Sequence, residues 1–309
     1  MKDMIKSFML AGCEVFENEP MSSHTTFRIG GHADFFVIPP DLETFCLCIK
    51  ELKKRKIPFF ILGKGSNVLF SDNGFKGIVI STEQLNNFKF NGNEVSAETG
   101  VSITKLAVEA MKRSLSGMEE FFGIPGTIGG ALRMNSGAFG REISDIVEKV
   151  EIFDGQKRFW MFKEELNFGY RKSLIAEKNL WVVSALFKLK YSQVEIIREK
   201  MRNYMKLRIA KQPLNYPSAG SVFRRPANDI YVGKLVEDLG LKGLRHGDAM
   251  ISDKHGGFIV NIGDARAEDV IFLINLIKQR VHENYGIELE TEIELVENSL
   301  TELIEAQQG

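Results

Sequence analysis

The sequence predicts an α+β protein of two or three domains, and three observations carry that reading. Amphipathic helical stretches and apolar strand-like runs follow one another without the regular strand–helix–strand cadence of a doubly wound sheet. The 309 residues exceed a single domain, at roughly 100–200 residues per domain. A polar, proline-containing break at 212–217 sets off a C-terminal segment with helices and strands of its own.

The elements follow in order. Pro39-Pro40 and the N-cap candidate Asp41 open a helix to position 56, with Leu42, Phe45, Leu47, Ile49 and Leu52 set among charged residues. Strand-like runs lie at 57–62, 68–70 and 77–81. The stretch 102–113 is helical, with Ile103, Leu106, Ala107 and Met111 on one face. Positions 147–153, 158–162 and 180–190 read as strands rich in Val, Phe and Trp. A basic amphipathic helix spans 193–211, with Val194, Ile197, Met201, Met205 and Ile209 facing away from a solvated basic side. Beyond the break come a helix at 233–239, a strand at 257–261, a strong helix at 267–285 and a strand at 287–296.

Composition excludes several classes. With 40 basic and 41 acidic residues the net charge is −1, so no global positive field holds a nucleic-acid backbone. The cysteines Cys13, Cys46 and Cys48 are odd in number and lack a C-x-x-C pair, which argues against a disulfide framework and a zinc site. His24, His32, His246, His255 and His282 lack metal-binding spacing, so no metal centre is expected. No apolar run approaches the roughly 18 residues of a membrane span, and the N-terminus lacks a secretion signal. A reduced, cytoplasmic, soluble protein without a membrane partner is expected.

The glycines cluster. Gly63-Lys64-Gly65-Ser66-Asn67 follows a strand-like run, and its backbone amides and polar side chains suit an anion. It is neither a Walker A loop nor a Rossmann fingerprint, and a plain tight turn reads equally well. The second cluster is denser: Gly123-Ile124-Pro125-Gly126-Thr127-Ile128-Gly129-Gly130 runs on through Asn135, Gly137 and Ala138 to Gly140. Thr127 is placed to cap a short helix whose amides would point at a pyrophosphate. Gly129 and Gly130 inside that helix cost about 1 kcal/mol each relative to Ala. Their presence points to close backbone approach, by a ligand or by another segment of the chain. Two such loops in one half favour a dinucleotide.

Two further stretches are less specific. Pro217-Ser218-Ala219-Gly220-Ser221-Val222-Phe223 is not a nucleophile elbow and reads equally as a serine-rich linker. The last strand alternates Glu288, Glu290, Glu292 and Glu294 with apolar residues. That is the pattern of a solvated face, and it singles out none of the four.

These stretches, with Ser23 to Gly31, the pair Tyr170-Arg171 and the run 286–292, stand in one order along nearly the whole chain. In that order they resemble the UDP-N-acetylenolpyruvoylglucosamine reductase family, in its subtype without an inserted tyrosine loop. The resemblance implies a vanillyl-alcohol-oxidase-type FAD fold in two lobes, 1–81 and 82–211, with a smaller α+β substrate domain at 212–309. It implies non-covalent FAD held by Gly63, Lys64, Gly65, Ser66 and Asn67 of the first loop. From the second it implies Gly123, Ile124, Pro125, Gly126, Thr127, Gly129, Gly130, Asn135, Gly137 and Ala138. Ser136 and Phe139 stand where the family usually has Ala and Tyr.

The implied reaction has two halves. NADPH reduces the flavin, which then passes a hydride from N5 to the enolpyruvyl group of a nucleotide sugar, building an enolate. The matching motifs give Arg171 and Glu292 the stabilisation of that charge and Ser221 the delivery of the proton. A guanidinium pairs a carboxylate bidentately. Glu292 serves only when protonated, so burial and a raised pKa are expected. Lys211 and Arg225 are further candidates for the substrate's diphosphate or carboxylate. The implied partners are the enolpyruvyl nucleotide sugar and NADPH, and a monomer is expected. A related FAD oxidase of a sugar or alcohol, and a non-catalytic nucleotide-sugar binding protein, are the alternatives.

Overall fold

The structure, a computed structural model, describes residues 1–227 and 229–297. Residues 228 and 298–309 of the expected C-terminal domain lie outside the described residues. The chain forms two compact units, neither continuous in sequence. One consists of Met1–Phe16, Val37–Lys64 and Ile80–Arg208; the other takes Glu17–Phe36, Gly65–Val79 and a segment beginning at Ile209. Three of the five points of passage between them fall inside the strands Glu14–Pro20, His32–Ile38 and Phe75–Ser81; the others fall between Lys64 and Gly65 and within helix Val194–Lys211.

The first unit is built on a five-stranded antiparallel sheet. Its order is Arg158–Phe162, Val147–Phe153, Trp181–Lys188, Glu94–Glu98, Phe88–Asn91. Helix Ile103–Lys112 starts at Ser102, whose side chain accepts from Lys105 N, and buries Ile103, Leu106, Ala107 and Ala110. These join Val150, Ile152, Phe187 and Phe121 in one core. Helix Leu42–Arg55 is capped by Asp41, which accepts from Thr44 N at 2.7 Å; that bond holds the Asp41 carboxyl below its usual range. Phe45, Cys48, Ile49 and Leu52 form its buried stripe. Leu47, grouped with the apolar positions above, is exposed instead, because two residues along a helix turn it about 200° away from Phe45.

The second unit carries a small antiparallel sheet, Arg245–His246, Ala249–Ile251 and Ile259–Asn261. Helix Ala267–Tyr285 buries Val270, Leu273, Ile274, Ile277 and Val281, a spacing of three, four, seven and eleven. Asp72 caps it, accepting from Ala267 N at 2.8 Å and Glu268 N at 3.0 Å. Phe27, Ile29 and Leu69 belong to the same core. Val68–Phe70 pairs in parallel with Glu294–Val296.

The expected strand at 287–296 is thus only three residues long. Its earlier part is extended backbone held by separate bonds, including an isolated bridge between Thr291 and Phe223. Strands Glu14–Pro20, His32–Ile38, Phe88–Asn91 and Glu94–Glu98 were not expected from the sequence. All three cysteines are buried and free, and burial pushes the Cys46 thiol up to about 11. Among the described residues no helix is long and apolar enough to cross a membrane.

Candidate active site

Strand Phe59–Leu62 delivers the first glycine loop. Gly65 sits at φ +58°, and a Cβ there would collide with the carbonyl oxygen of His24. Its own carbonyl accepts from Thr26 N at 3.0 Å. The residue must therefore be glycine for the protein's own backbone approach. The successive amides of Lys64, Gly65 and Ser66 donate to no protein acceptor among the described residues. Such a run of adjacent unpaired N–H groups is an anion nest. Gly63 brings this loop against the second, since a Cβ there would lie 2.6 Å from Thr127 Oγ1.

The second loop folds as expected at its cap and differently beyond it. Thr127 accepts from Gly130 N at 3.3 Å and starts the short helix Ile128–Arg133. The amides of Ile128 and Gly129 do not point outward. They donate to Val101 O at 2.9 Å and Thr99 O at 2.8 Å, because a bridge between Ser102 and Thr127 lays the segment along its neighbour. The two glycines then separate in meaning. A Cβ on Gly129 would collide with Thr99 Oγ1, so tight packing demands it. Gly130 is exposed, and its nearest neighbour is Thr127 Oγ1 at 3.6 Å. The packing of the described residues does not require glycine there. The amide run of loop 63–67 by itself suits an anionic phosphate.

Downstream, Gly137-Ala138 pairs with Arg141-Glu142. Phe139 stacks on Tyr204 at 4.6 Å, with the Arg208 guanidinium 5.1 Å above its ring. Arg208 is only 6% exposed and donates to Glu120 O at 3.0 Å; burial lowers its pKa. Tyr204 donates to Glu120 Oε1 at 3.1 Å. Sequence reasoning missed this group by counting helix 193–211 as basic on one side only. The signal was present: Arg208 falls seven residues after Met201 and eleven after Ile197, on the buried stripe.

Arg171 lies in a two-residue turn closed by Gly169 N to Lys172 O at 3.1 Å and Lys172 N to Gly169 O at 3.0 Å. Its φ is +55°, it is half-buried, and its guanidinium stands 5.4 Å from the Tyr170 ring. Asn135 anchors the turn. It has no exposed surface; its Nδ2 donates to Gly169 O at 3.0 Å and Glu142 Oε2 at 2.7 Å, and its Oδ1 accepts from Ser144 N at 3.2 Å. Its amide thus works on the framework rather than outward. Ser173 Oγ adds a bond to Arg133 O at 2.5 Å.

In the second unit the stretch 217–223 is not a linker. Ala219, Val222 and Phe223 are buried. Val222 N donates to Gly257 O at 2.9 Å on one side, and Glu292 N donates to Val222 O at 2.7 Å on the other. This brings the peptide next to Ser221 directly onto Glu292. Of the four alternating glutamates, Glu292 alone is half-buried; Glu288, Glu290 and Glu294 are exposed. The expected burial of Glu292 is partial. Asn67 Nδ2 donates to Glu292 O at 2.9 Å. Lys211 and Arg225 are exposed, Arg225 standing 5.4 Å from the Tyr231 ring. Arg171 belongs to the first unit, Ser221 and Glu292 to the second.

A family model described as UDP-N-acetylenolpyruvoylglucosamine reductase, C-terminal domain, matches residues 212–296. One described as FAD binding domain matches residues 33–158. Curated relatives named UDP-N-acetylenolpyruvoylglucosamine reductase include that of Thermotoga sp. (strain RQ2), 43% identical over 96% of this chain and 98% of its own length. That of Alkaliphilus oremlandii (strain OhILAs) is 45% identical over 91% of this chain and 93% of its own. The crystal structure of UDP-N-acetylenolpyruvylglucosamine reductase from Thermus caldophilus matches with a TM-score of 0.79 at 34% identity, covering 92% of this chain and 99% of that one.

Proposed function

The chain belongs to the UDP-N-acetylenolpyruvoylglucosamine reductase family, and from that premise we propose how its residues divide the work. It has the vanillyl-alcohol-oxidase-type FAD fold and is an FAD-containing oxidoreductase of peptidoglycan precursor synthesis. It reduces UDP-N-acetylglucosamine enolpyruvate to UDP-N-acetylmuramate at the expense of NADPH. When bound, FAD would supply two-electron transfer from NADPH to the enolpyruvyl double bond.

The rest is chemistry of the chain's own side chains. Loop 63–67 holds the cofactor's diphosphate through the amides of Lys64, Gly65 and Ser66, with the Lys64 charge beside them. Gly130 and its neighbours in 123–138 admit the cofactor closely. Arg171 pairs with the substrate carboxylate, where negative charge accumulates. Glu292, in its protonated form, donates to the same oxygens; as an anion it would repel them. Ser221 delivers a proton to the adjacent carbon. A hydroxyl is a weak acid, but an enolate is basic enough to take its proton. Lys211 and Arg225 meet the diphosphate of the nucleotide sugar.

The observation that supports this reading best is the bond from Glu292 N to Val222 O, which brings the backbone of Glu292 to the neighbour of Ser221, 70 residues earlier in the sequence. The finer parts of the proposal are the division into 1–81, 82–211 and 212–309, and a cytoplasmic monomer acting on small molecules without a nucleic-acid or membrane partner. Stopped-flow absorbance of the Ser221→Ala protein tests the chemistry. NADPH bleaches its flavin at the normal rate, while reoxidation by the enolpyruvyl sugar slows by roughly 10²-fold or more. Equal slowing of both steps removes the proton-donor role, and a protein that takes up no FAD removes the whole reading.

A further inference from the structure

We propose that Asn67 is a positioning residue for Glu292, so that the loop assigned to the cofactor also sets the aim of the acid; this rests on the role of Glu292 given above. The side chain of Asn67 is oriented toward the protein. Its Nδ2 donates to Glu292 O at 2.9 Å, and its own carbonyl accepts from Glu294 N at 2.9 Å. The Glu292 amide donates to Val222 O at 2.7 Å. Both peptide groups of Glu292 are therefore fixed, one by the neighbour of Ser221 and the other by Asn67.

The local geometry explains why an asparagine is needed. The parallel ladder between Val68–Phe70 and Glu294–Val296 is only three residues long and begins at Glu294. Glu292 lies before it, and its carbonyl accepts from the Asn67 side chain. The Asn67 amide supplies that rung. Without it, a short segment outside the ladder loses one of its ties, and such segments fray easily. A carboxyl that must meet a developing charge tolerates little displacement, since misplacement of about 1 Å costs on the order of 100-fold in rate. Glu288 and Glu290 have no such side-chain tie on their carbonyls among the described bonds, and both are exposed.

A cycle of Asn67→Ala, Glu292→Ala and the double variant in the FAD-loaded enzyme tests this. Compared at saturating FAD, Asn67→Ala is expected to slow flavin reoxidation by the enolpyruvyl sugar roughly 10–100-fold more than it slows reduction by NADPH. In the Glu292→Ala background it adds no further loss, because residues acting as a unit are not additive. Hydrogen exchange provides a readout free of turnover: amides 291–293 of the apoprotein exchange faster in Asn67→Ala than in the parent. Losses that multiply in the double variant, both half-reactions falling together at saturating FAD, or unchanged exchange overturn the proposal. If Glu292→Ala reoxidises at the parent rate, the role of Glu292 falls, and that of Asn67 with it. Should Asn67→Ala not fold, Asn67→Ser goes through the same cycle with the same outcomes.

Discussion

Asn135 donates its side-chain amide to Gly169 O at 3.0 Å, so a fully buried group in the second glycine segment holds the turn that presents Arg171. Asn135→Ala removes a bond from Gly169 O, which keeps Lys172 N, and takes the Asn135 partner from Glu142 Oε2 and Ser144 N. Buried groups stripped in this way cost about 1–3 kcal/mol each, less whatever water recovers. Urea unfolding should show a loss of about 3 kcal/mol. An unchanged midpoint would mean that the turn stands without this tie.

The adjacent glycines of helix Ile128–Arg133 should respond oppositely. A Cβ on Gly129 would run into Thr99 Oγ1, and Gly129→Ala is expected to destabilise by roughly 1–3 kcal/mol through overpacking. Gly130→Ala meets only Thr127 Oγ1 at 3.6 Å. It should leave the apoprotein as stable or up to about 1 kcal/mol more stable, while weakening FAD binding measured by flavin fluorescence. Unaltered FAD affinity in Gly130→Ala would place the cofactor elsewhere.

Asp72 joins the N-terminus of helix Ala267–Tyr285 by two bonds, at 2.8 Å and 3.0 Å. Asp72→Ala should cost about 1–2 kcal/mol, the usual loss of an N-terminal cap. Thermal unfolding checks the stability. Both half-reactions, followed separately, should keep their rates at temperatures where the variant is folded.

His255 gives a pH prediction with a definite sign. Its Nδ1 accepts from Gly257 N at 3.0 Å, and burial, helped by the charges of Lys242 and Lys211, holds its pKa below the ordinary 6.5. The fold therefore keeps the ring neutral. As pH falls through 6.5, the unfolded chain takes up a proton that the folded one resists, so stability is full above that pH and declines below it. The melting temperature should drop between about pH 7.5 and about pH 5.5, and His255→Gln should flatten part of that slope. An identical slope in the variant would assign the effect to other groups.

What the sequence made legible follows from how local each signal is. Helices Leu42–Arg55, Ile103–Lys112 and Ala267–Tyr285 could be read because spacing and caps lie within a few residues of each other. Strand Phe88–Asn91 reads F-K-F-N, too short and too polar to stand out, and exists because Glu94–Glu98 pairs with it. The glycine loops could be found, but not the reason for each glycine, which depends on Thr99 and His24 across the fold. Nor could the tie from Asn67 to Glu292 be seen, since 225 residues separate them. Arg171 was legible only through family likeness, because a left-handed arginine in a turn leaves no periodic trace.

Phe27, Ile29 and Leu69 lie in one core with Val270, Leu273 and Ile277. A ribosome releases the first three long before the others exist, so those side chains stay wet until synthesis is nearly complete. Expression of 212–309 alone would leave the same cluster open from the opposite side.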